Sequence, residues 1–316
     1  MIARDRIVIG ASAGGVTALQ QVVAGLPADL PAAVFITLHM YERNQAMLPD
    51  LLSPAGPLRA SLAVDGERIE NGRIYVAPPD YHLLFTPEAL HLGHGPKEGL
   101  QRPSINIMFR SAAAVFGERT AGVVLTGMLD DGAAGLWEIL QRGGVTVVQE
   151  PEEAAYRSMP ESAIRGLNVL YILRLKEMAP LLTRLSMGER RETEGQHEVA
   201  ETKPGSTIAT LTRQACPECG GAMNVEQQGG TKEYVCHVGH RLGLQSMIAD
   251  KTDLVERRMW GALSQSEELV DLLEQAREGH DSAALGSLQE EIEARRDDME
   301  KLRAVIERSR VDLSRK

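Results

Sequence analysis

Arg6-Ile7-Val8-Ile9-Gly10-Ala11-Ser12-Ala13-Gly14-Gly15-Val16 decides how the N-terminal half folds. Its apolar run suits a strand buried on both faces, as strands of a parallel sheet are. Small residues then turn the chain straight into Val16-Thr17-Ala18-Leu19-Gln20-Gln21-Val22-Val23, whose apolar positions recur at helical spacing. The pattern repeats outward. Ala33-Val34-Phe35-Ile36-Thr37-Leu38, Ala121-Gly122-Val123-Val124-Leu125 and Val145-Thr146-Val147-Val148 are further buried strands, and a helical pattern from Ala133 to Leu140 follows the third of the four. Strands alternating with helices predict an α/β domain, a parallel sheet with helices packed on it, over residues 1–186. Between residues 60 and 95, turn residues separate the short runs Arg73-Ile74-Tyr75-Val76 and His82-Leu83-Leu84-Phe85, which predicts an antiparallel insertion.

Beyond this domain the composition changes. Gly188-Glu189-Arg190-Arg191-Glu192-Thr193-Glu194-Gly195-Gln196-His197 is too polar to bury anything and predicts a linker over 187–206, closed by Pro204-Gly205-Ser206. A cysteine-bearing unit is expected over 207–243, and a helical hairpin or dimerising coil over 244–316. In the last segment Leu254, Leu263, Leu269 and Leu273, then Leu288, Ile292, Met299, Leu302 and Ile306, fall near three- and four-residue spacing, with Gly279-His280-Asp281-Ser282 as the break.

The whole chain has 316 residues, 43% of them apolar, and 44 acidic against 34 basic side chains for a formal charge of −10. Such a balance argues against nucleic acid and anionic membranes as partners. No stretch reaches the roughly 18 to 20 apolar residues of a membrane span, and Met1-Ile2-Ala3-Arg4-Asp5-Arg6 lacks the apolar core of a signal peptide. A cytoplasmic protein without direct membrane insertion is expected.

The turn after the first strand lies at the carboxyl edge of the sheet, where open α/β folds build their sites. Its third position is Ser12, so a dinucleotide-binding GxGxxG pattern fails. Gly10, Ser12 and Gly14 fit GxSxG, which holds a serine on a tight strand-to-helix bend with its hydroxyl exposed. A serine needs a base, and His39 ends the second strand. An orienting carboxylate is expected from the third strand end, Leu125-Thr126-Gly127-Met128-Leu129-Asp130-Asp131-Gly132, and the order Ser, His, Asp departs from that of α/β-hydrolases.

These residues, with Thr37-Leu38-His39-Met40, Gly66-Glu67-Arg68, Tyr75-Val76-Ala77-Pro78, Arg102-Pro103-Ser104-Ile105, Asp131-Gly132-Ala133-Ala134-Gly135 and Met159-Pro160-Glu161-Ser162-Ala163-Ile164, resemble the catalytic domain of CheB, the chemotaxis protein-glutamate methylesterase. The resemblance spans about residues 5 to 185. It implies a doubly wound, mostly parallel sheet, a triad of Ser12, His39 and Asp131, and an oxyanion hole from the backbone amides of Ala13 and Met128. The reaction implied is hydrolysis of γ-glutamyl methyl esters on a methylated chemoreceptor or similar signalling protein, sometimes with glutamine deamidation, and it needs no organic cofactor. Ala13 stands where that family usually has a hydroxyl residue, and Leu129-Asp130 replaces a commoner Gly-Asn or Gly-Ala. Met40-Tyr41-Glu42-Arg43-Asn44 lacks the prolines common there. The first strand begins so early that no N-terminal receiver domain, and hence no control by phosphorylation in cis, is expected. His82, His91 and His94 are read as surface or insertion residues.

Cys216-Pro217-Glu218-Cys219-Gly220-Gly221 pairs two thiolates at the spacing of a zinc knuckle, and Cys236-His237-Val238-Gly239-His240 follows. His240 is the expected fourth ligand, because a residue adjacent to a ligand, as His237 is to Cys236, normally points elsewhere. Cys216, Cys219, Cys236 and His240 would form a closed Cys3His shell for structural zinc, similar to the zinc-ribbon-like unit behind some stand-alone CheB-type domains. Dimerisation through the C-terminal helices is one way to bury their apolar stripes. A second reading stays open, in which the esterase fold is a non-catalytic signalling adaptor and the zinc unit and helices bind partners.

Overall fold

A computed structural model describes residues 2–39, 47–188, 210–228, 230–278 and 285–309. Of the expected linker only Met187 and Gly188 fall among them. The run from Met40 to Asn44 and the break at 279–282 lie outside the described residues.

In chain order the first elements are β1 (Arg6–Ala11), α1 (Gly15–Ala24), β2 (Ala33–Leu38), α2 (Leu48–Leu52), β3 (Arg59–Leu62), β4 (Arg73–Val76), β5 (His82–Phe85), β6 (Leu90–Gly93) and α3 (Ile105–Phe116). They are followed by β7 (Thr120–Val124), α4 (Ala133–Gln141), β8 (Val145–Gln149), α5 (Ser158–Gly166), β9 (Tyr171–Leu173) and α6 (Leu175–Ser186). Seven strands form one sheet in the order β3-β4-β2-β1-β7-β8-β9, and every neighbouring pair is parallel. The doubly wound α/β fold is therefore present. One expectation is corrected: Arg73–Val76 is not part of an antiparallel insertion but lies in the parallel sheet between β3 and β2. In that region β5 and β6 pair antiparallel, and one isolated antiparallel bridge joins Arg68 to Ala89.

The alternation of β1 explains the two-sided core. Ile7, Ile9 and Ala11 join α1 and α6 through Leu19, Val22, Val23, Met178 and Leu182 on one face. Val8 joins Phe35 and Tyr75 with α3, α4 and the β5–β6 hairpin on the other. Each buried Val, Leu, Ile, Phe or Met side chain among them contributes about 1.5–3 kcal/mol. Helix α3 starts at Ser104, whose extended backbone and side chain cap it, and ends at Gly117, where φ is +54°. Its residues Ile105, Met108, Phe109, Ala112, Ala113 and Phe116 make one buried stripe.

The chain runs β1 and β2 to one side, then returns to lay β7 on the other side of β1. The strand order reverses at β1, so the crevice of an open α/β sheet opens at the carboxyl ends of β2, β1 and β7.

A second, antiparallel sheet follows, made of β10 (Thr210–Ala215), β11 (Ala222–Gln228), β12 (Thr231–Cys236) and β13 (Arg241–Gly243). It leads into α7 (Leu244–Glu278), and α8 (Leu285–Ser309) closes the described chain. The chain divides into two compact units, Met1–Met247 and Ile248–Lys316, so both sheets lie in the first. Within the second unit Glu274–Arg296 and Glu267–Arg303 ion pairs fix an antiparallel helical hairpin, with Leu263, Val270, Ile292 and Ile306 buried. Leu269, expected inside, is 39% exposed, and its neighbour Val270 faces inward. Among the described residues no helix is long and apolar enough to cross a membrane.

Candidate active site and candidate metal site

Parallel register brings the first two residues together. Ala11 pairs with Leu38 as the last rung between β1 and β2, so Ser12 and His39 are the next residues on adjacent strands. The His39 N–H donates to Ala11 O at 3.1 Å, and the Ser12 N–H donates across to Thr126 O at 3.0 Å, extending the sheet on both sides of Ser12. The bend beyond Ser12 requires φ of +75° at Gly14, a left-handed conformation that glycine adopts without steric cost. Ser12, Ala13, His39, Gln101 and Met128 line one open cleft of about 660 Å³.

Asp131 reaches the same rim from the turn after β7. Its carboxylate is buried, and Oδ2 lies 2.9 Å from His39 Nε2. That oxygen sits off the ring N–H axis, so the two meet at ion-pair distance without a straight hydrogen bond. The remaining acceptor positions are filled from the start of α3. The Ile105 N–H donates to Oδ2 at 2.8 Å and the Asn106 N–H to Oδ1 at 2.9 Å, while the Ser104 hydroxyl donates to Oδ1 at 3.2 Å. The carboxylate therefore occupies the positive end of a helix, where unpaired N–H groups favour an anion. Burial alone would raise its pKa, but His39 and the amides of Asn106 and Ile105 outweigh it and hold the acid below the usual carboxylate range.

Sequence reasoning missed the residues behind this acid. Asn106 Oδ1 accepts from the N–H groups of Gly132 and Gly135 at 3.0 and 2.7 Å, tying the start of α3 to the start of α4. His82, expected at the surface or in the insertion, lies in the β5–β6 hairpin and is buried. Its Nδ1 accepts from the Ser104 N–H at 3.2 Å and its Nε2 faces Pro96 O at 3.1 Å, which fixes the neutral Nε2–H tautomer. Desolvation pushes its pKa down. His91 and His94 are exposed, but each is paired, with Asp65 at 2.8 Å and Asp80 at 3.0 Å. The usable signal for α3 was Ser104 ahead of the 105, 108, 109, 112, 113, 116 stripe; nothing in the sequence tied His82 to it.

Among the described residues, the backbone N–H groups of Ala13 and Met128 have no acceptor, although the N–H groups of Gly127 and Leu129 are bonded to Tyr156 O and Ser158 Oγ. Both free donors belong to residues that line the cleft.

The four expected metal ligands also converge. The ligand atoms of Cys216, Cys219, Cys236 and His240 lie within 4.8 Å of one another. Cys219 Sγ is 3.7 Å from Cys236 Sγ, and His240 Nδ1 is 3.7 and 3.5 Å from the sulfurs of Cys216 and Cys236. Zinc–sulfur bonds of about 2.3 Å at tetrahedral angles set sulfurs about 3.8 Å apart, so the spacing fits one tetrahedral ion. Two tight turns shape the shell: the Cys216 N–H bonds Gly221 O, and the Cys236 N–H bonds His240 O. His237 packs against Gly221 and is not part of the set.

The sequence model of the family described as CheB methylesterase matches residues 7–182. A protein of Methanosarcina acetivorans named protein-glutamate methylesterase/protein-glutamine glutaminase 2 is 38% identical over 190 residues, 58% of this chain and 53% of that protein. A Leptospira interrogans protein, named a putative member of the same activity class, is 37% identical over 182 residues, 57% of this chain and 94% of the relative. The match thus spans about half the length of the first relative and nearly all of the second. The crystal structure of the Thermotoga maritima CheB methylesterase catalytic domain aligns with a TM-score of 0.56 and 29% identity, covering 57% of this chain and 98% of that one.

Proposed function

Because the chain belongs to the CheB methylesterase family, we propose that it is a serine esterase acting on γ-glutamyl methyl esters of a chemoreceptor or similar signalling protein. The Ser12 hydroxyl attacks the ester carbonyl while His39 takes its proton, and the tetrahedral oxyanion lies against the N–H groups of Ala13 and Met128. Collapse breaks the carbonyl–methoxy bond. His39 returns the proton to the leaving oxygen, methanol departs, and water activated by the same ring cleaves the acyl-serine to free glutamate. Asp131 stays ionised throughout and steadies the imidazolium. A glutamine side chain entering the same cleft would be deamidated by the same steps, with ammonia leaving.

One observation carries this reading: a buried carboxylate, held at a helix N-terminus and 2.9 Å from His39, on the rim where β1 delivers Ser12. The free amides beside Ser12 support the oxyanion role. Cys216, Cys219, Cys236 and His240 are the residues that would hold zinc; a closed Cys3His shell supplies folding free energy and leaves no open position for substrate. We read residues 1–186 as the esterase domain, 187–206 as linker, 207–243 as the zinc unit and 244–316 as the helical region. A cytoplasmic location and dimerisation through the helices belong to the same proposal.

The test is methanol release from methylated receptor by the wild type and by Ser12→Ala. Loss of release on substitution is expected; equal release from both excludes Ser12 as nucleophile.

A further inference from the structure

The two adjacent acids, Asp130 and Asp131, serve opposite directions. Asp131 turns toward His39 and α3. Asp130 turns away, into the first turn of α7, where the Gln245 N–H donates to Oδ2 at 2.9 Å and the Ser246 hydroxyl to Oδ1 at 2.5 Å. The first N–H groups of a helix lack intrahelical partners and are normally satisfied by the residue just before it. That residue is Gly243, which has no side chain to offer. A Cβ on Gly243 would fall 2.2 Å from Asp130 Oδ2, so glycine here makes room for a carboxylate arriving from the other sheet's domain.

The surrounding contacts brace the same turn. Leu129, just before the pair, has φ of +67°, a left-handed backbone that a leucine adopts at a cost. Its N–H is held by Ser158 Oγ and its carbonyl by the Ser162 hydroxyl. On the other side the Gly99 N–H donates to Arg241 O at 2.7 Å, and a Cβ at Gly99 would sit 3.8 Å from Ser246 Oγ and 3.9 Å from Asp131 Cβ. Arg110 of α3 bridges Glu98 and Glu233 of β12, joining that loop to the antiparallel sheet. Helix α7 thus begins directly against the turn that carries the triad acid, with Gly99 of loop 98–101 beside both Ser246 and Asp131.

We propose that Asp130 is a positioning residue for the esterase: by capping α7 it locks the 129–132 turn, and so sets the Asp131 carboxylate against His39. The inference rests on the triad reading for its catalytic consequence. The geometry predicts that releasing the cap lets Asp131 drift from both His39 and the α3 amides, and misplacement by about 1 Å costs on the order of a hundredfold in rate.

The test uses the full chain as wild type, Asp130→Ala, Asp130→Asn and Ser246→Ala. Two quantities are followed: the pH dependence of Ser12 phosphonylation by a fluorophosphonate, and amide hydrogen exchange at Ile105 and Asn106. Arg165, Lys232 and Glu233, which line one pocket with Asp130, and Glu98, Arg110 and His82 nearby are unchanged in every variant. Asp130→Ala is expected to slow labelling tenfold or more, to move the acid limb of the profile to lower pH, and to speed exchange at both amides. Asp130→Asn keeps an oxygen for the Gln245 N–H and should recover most of each effect. Ser246→Ala, which removes only a hydroxyl, should move all three in the same direction by less and covers the case in which Asp130→Ala does not fold.

Labelling and exchange equal to wild type in both Asp130→Ala and Ser246→Ala overturn the proposal. So does Asp130→Asn as impaired as Asp130→Ala, since the acid would then act by charge and not by position. If wild-type Ser12 resists the probe, the esterase reading fails, and the exchange comparison alone decides the role of Asp130.

Discussion

Asp131 accepts from three donors at the start of α3 while facing His39, so its charge and its shape are both in use. Asp131→Asn keeps the shape but turns an NH2 group toward donors. The expected outcome is a fall in methanol release on the order of 10⁴-fold with little loss of fold, measured against wild type at neutral pH. A decrease under tenfold would remove Asp131 from the chemistry. At this scale Ser12 and His39 were legible in the sequence because each follows directly on a buried strand, and strand ends of a parallel sheet share one rim. Asp131 was legible only as one of two adjacent acids. What separates it from Asp130 is the direction each carboxylate takes, toward α3 or toward α7, which depends on partners more than twenty residues away.

At the scale of elements, α3 is the part that turns a strand rim into a site, since its first turn holds Asp131. His82 supports that turn only while neutral, because its Nδ1 accepts the Ser104 N–H. Its pKa is lowered in the fold, chiefly by desolvation, from the usual histidine value of 6.5. The unfolded chain therefore takes up the proton first, and the stabilisation present above pH 6.5 is lost as pH falls through the folded value. Thermal melting should show a wild-type stability that declines below pH 6.5, and His82→Ala should be less stable at pH 7.5 with a flatter decline; parallel profiles would refute this role. The sequence announced four strands of the sheet through unbroken apolar runs. It misled at β4, because a four-residue run such as Arg73–Val76 carries no mark of whether its neighbours run parallel. The hairpin strands β5 and β6 look the same locally and pair antiparallel.

Across the whole molecule, both sheets share one compact unit, and the second reaches the first through Asp130, Gly99 and Arg110. Among the described residues, the small core behind the cysteines buries Met223, Leu242 and Met247 beside Cys216 and Cys236, with Leu100 and Tyr234 partly buried against it, too little to stabilise a four-stranded sheet alone. Purified full-length protein is expected to contain zinc at one ion per chain by elemental analysis. Cys219→Ser should lower both the zinc content and the melting temperature, and an unchanged melt would make the metal dispensable. The cysteine spacing was readable from sequence because knuckle ligands are local; the docking of that unit onto the acid turn was not, since it joins residues more than a hundred positions apart. Hydrolysis at this rim depends on Ser12 being an activated alcohol. Mass-spectrometric mapping after fluorophosphonate treatment tests that most directly: the adduct should sit on the peptide containing Ser12, vanish in Ser12→Ala and fall sharply in His39→Gln. An unlabelled Ser12, or labelling that ignores the loss of His39, would contradict it.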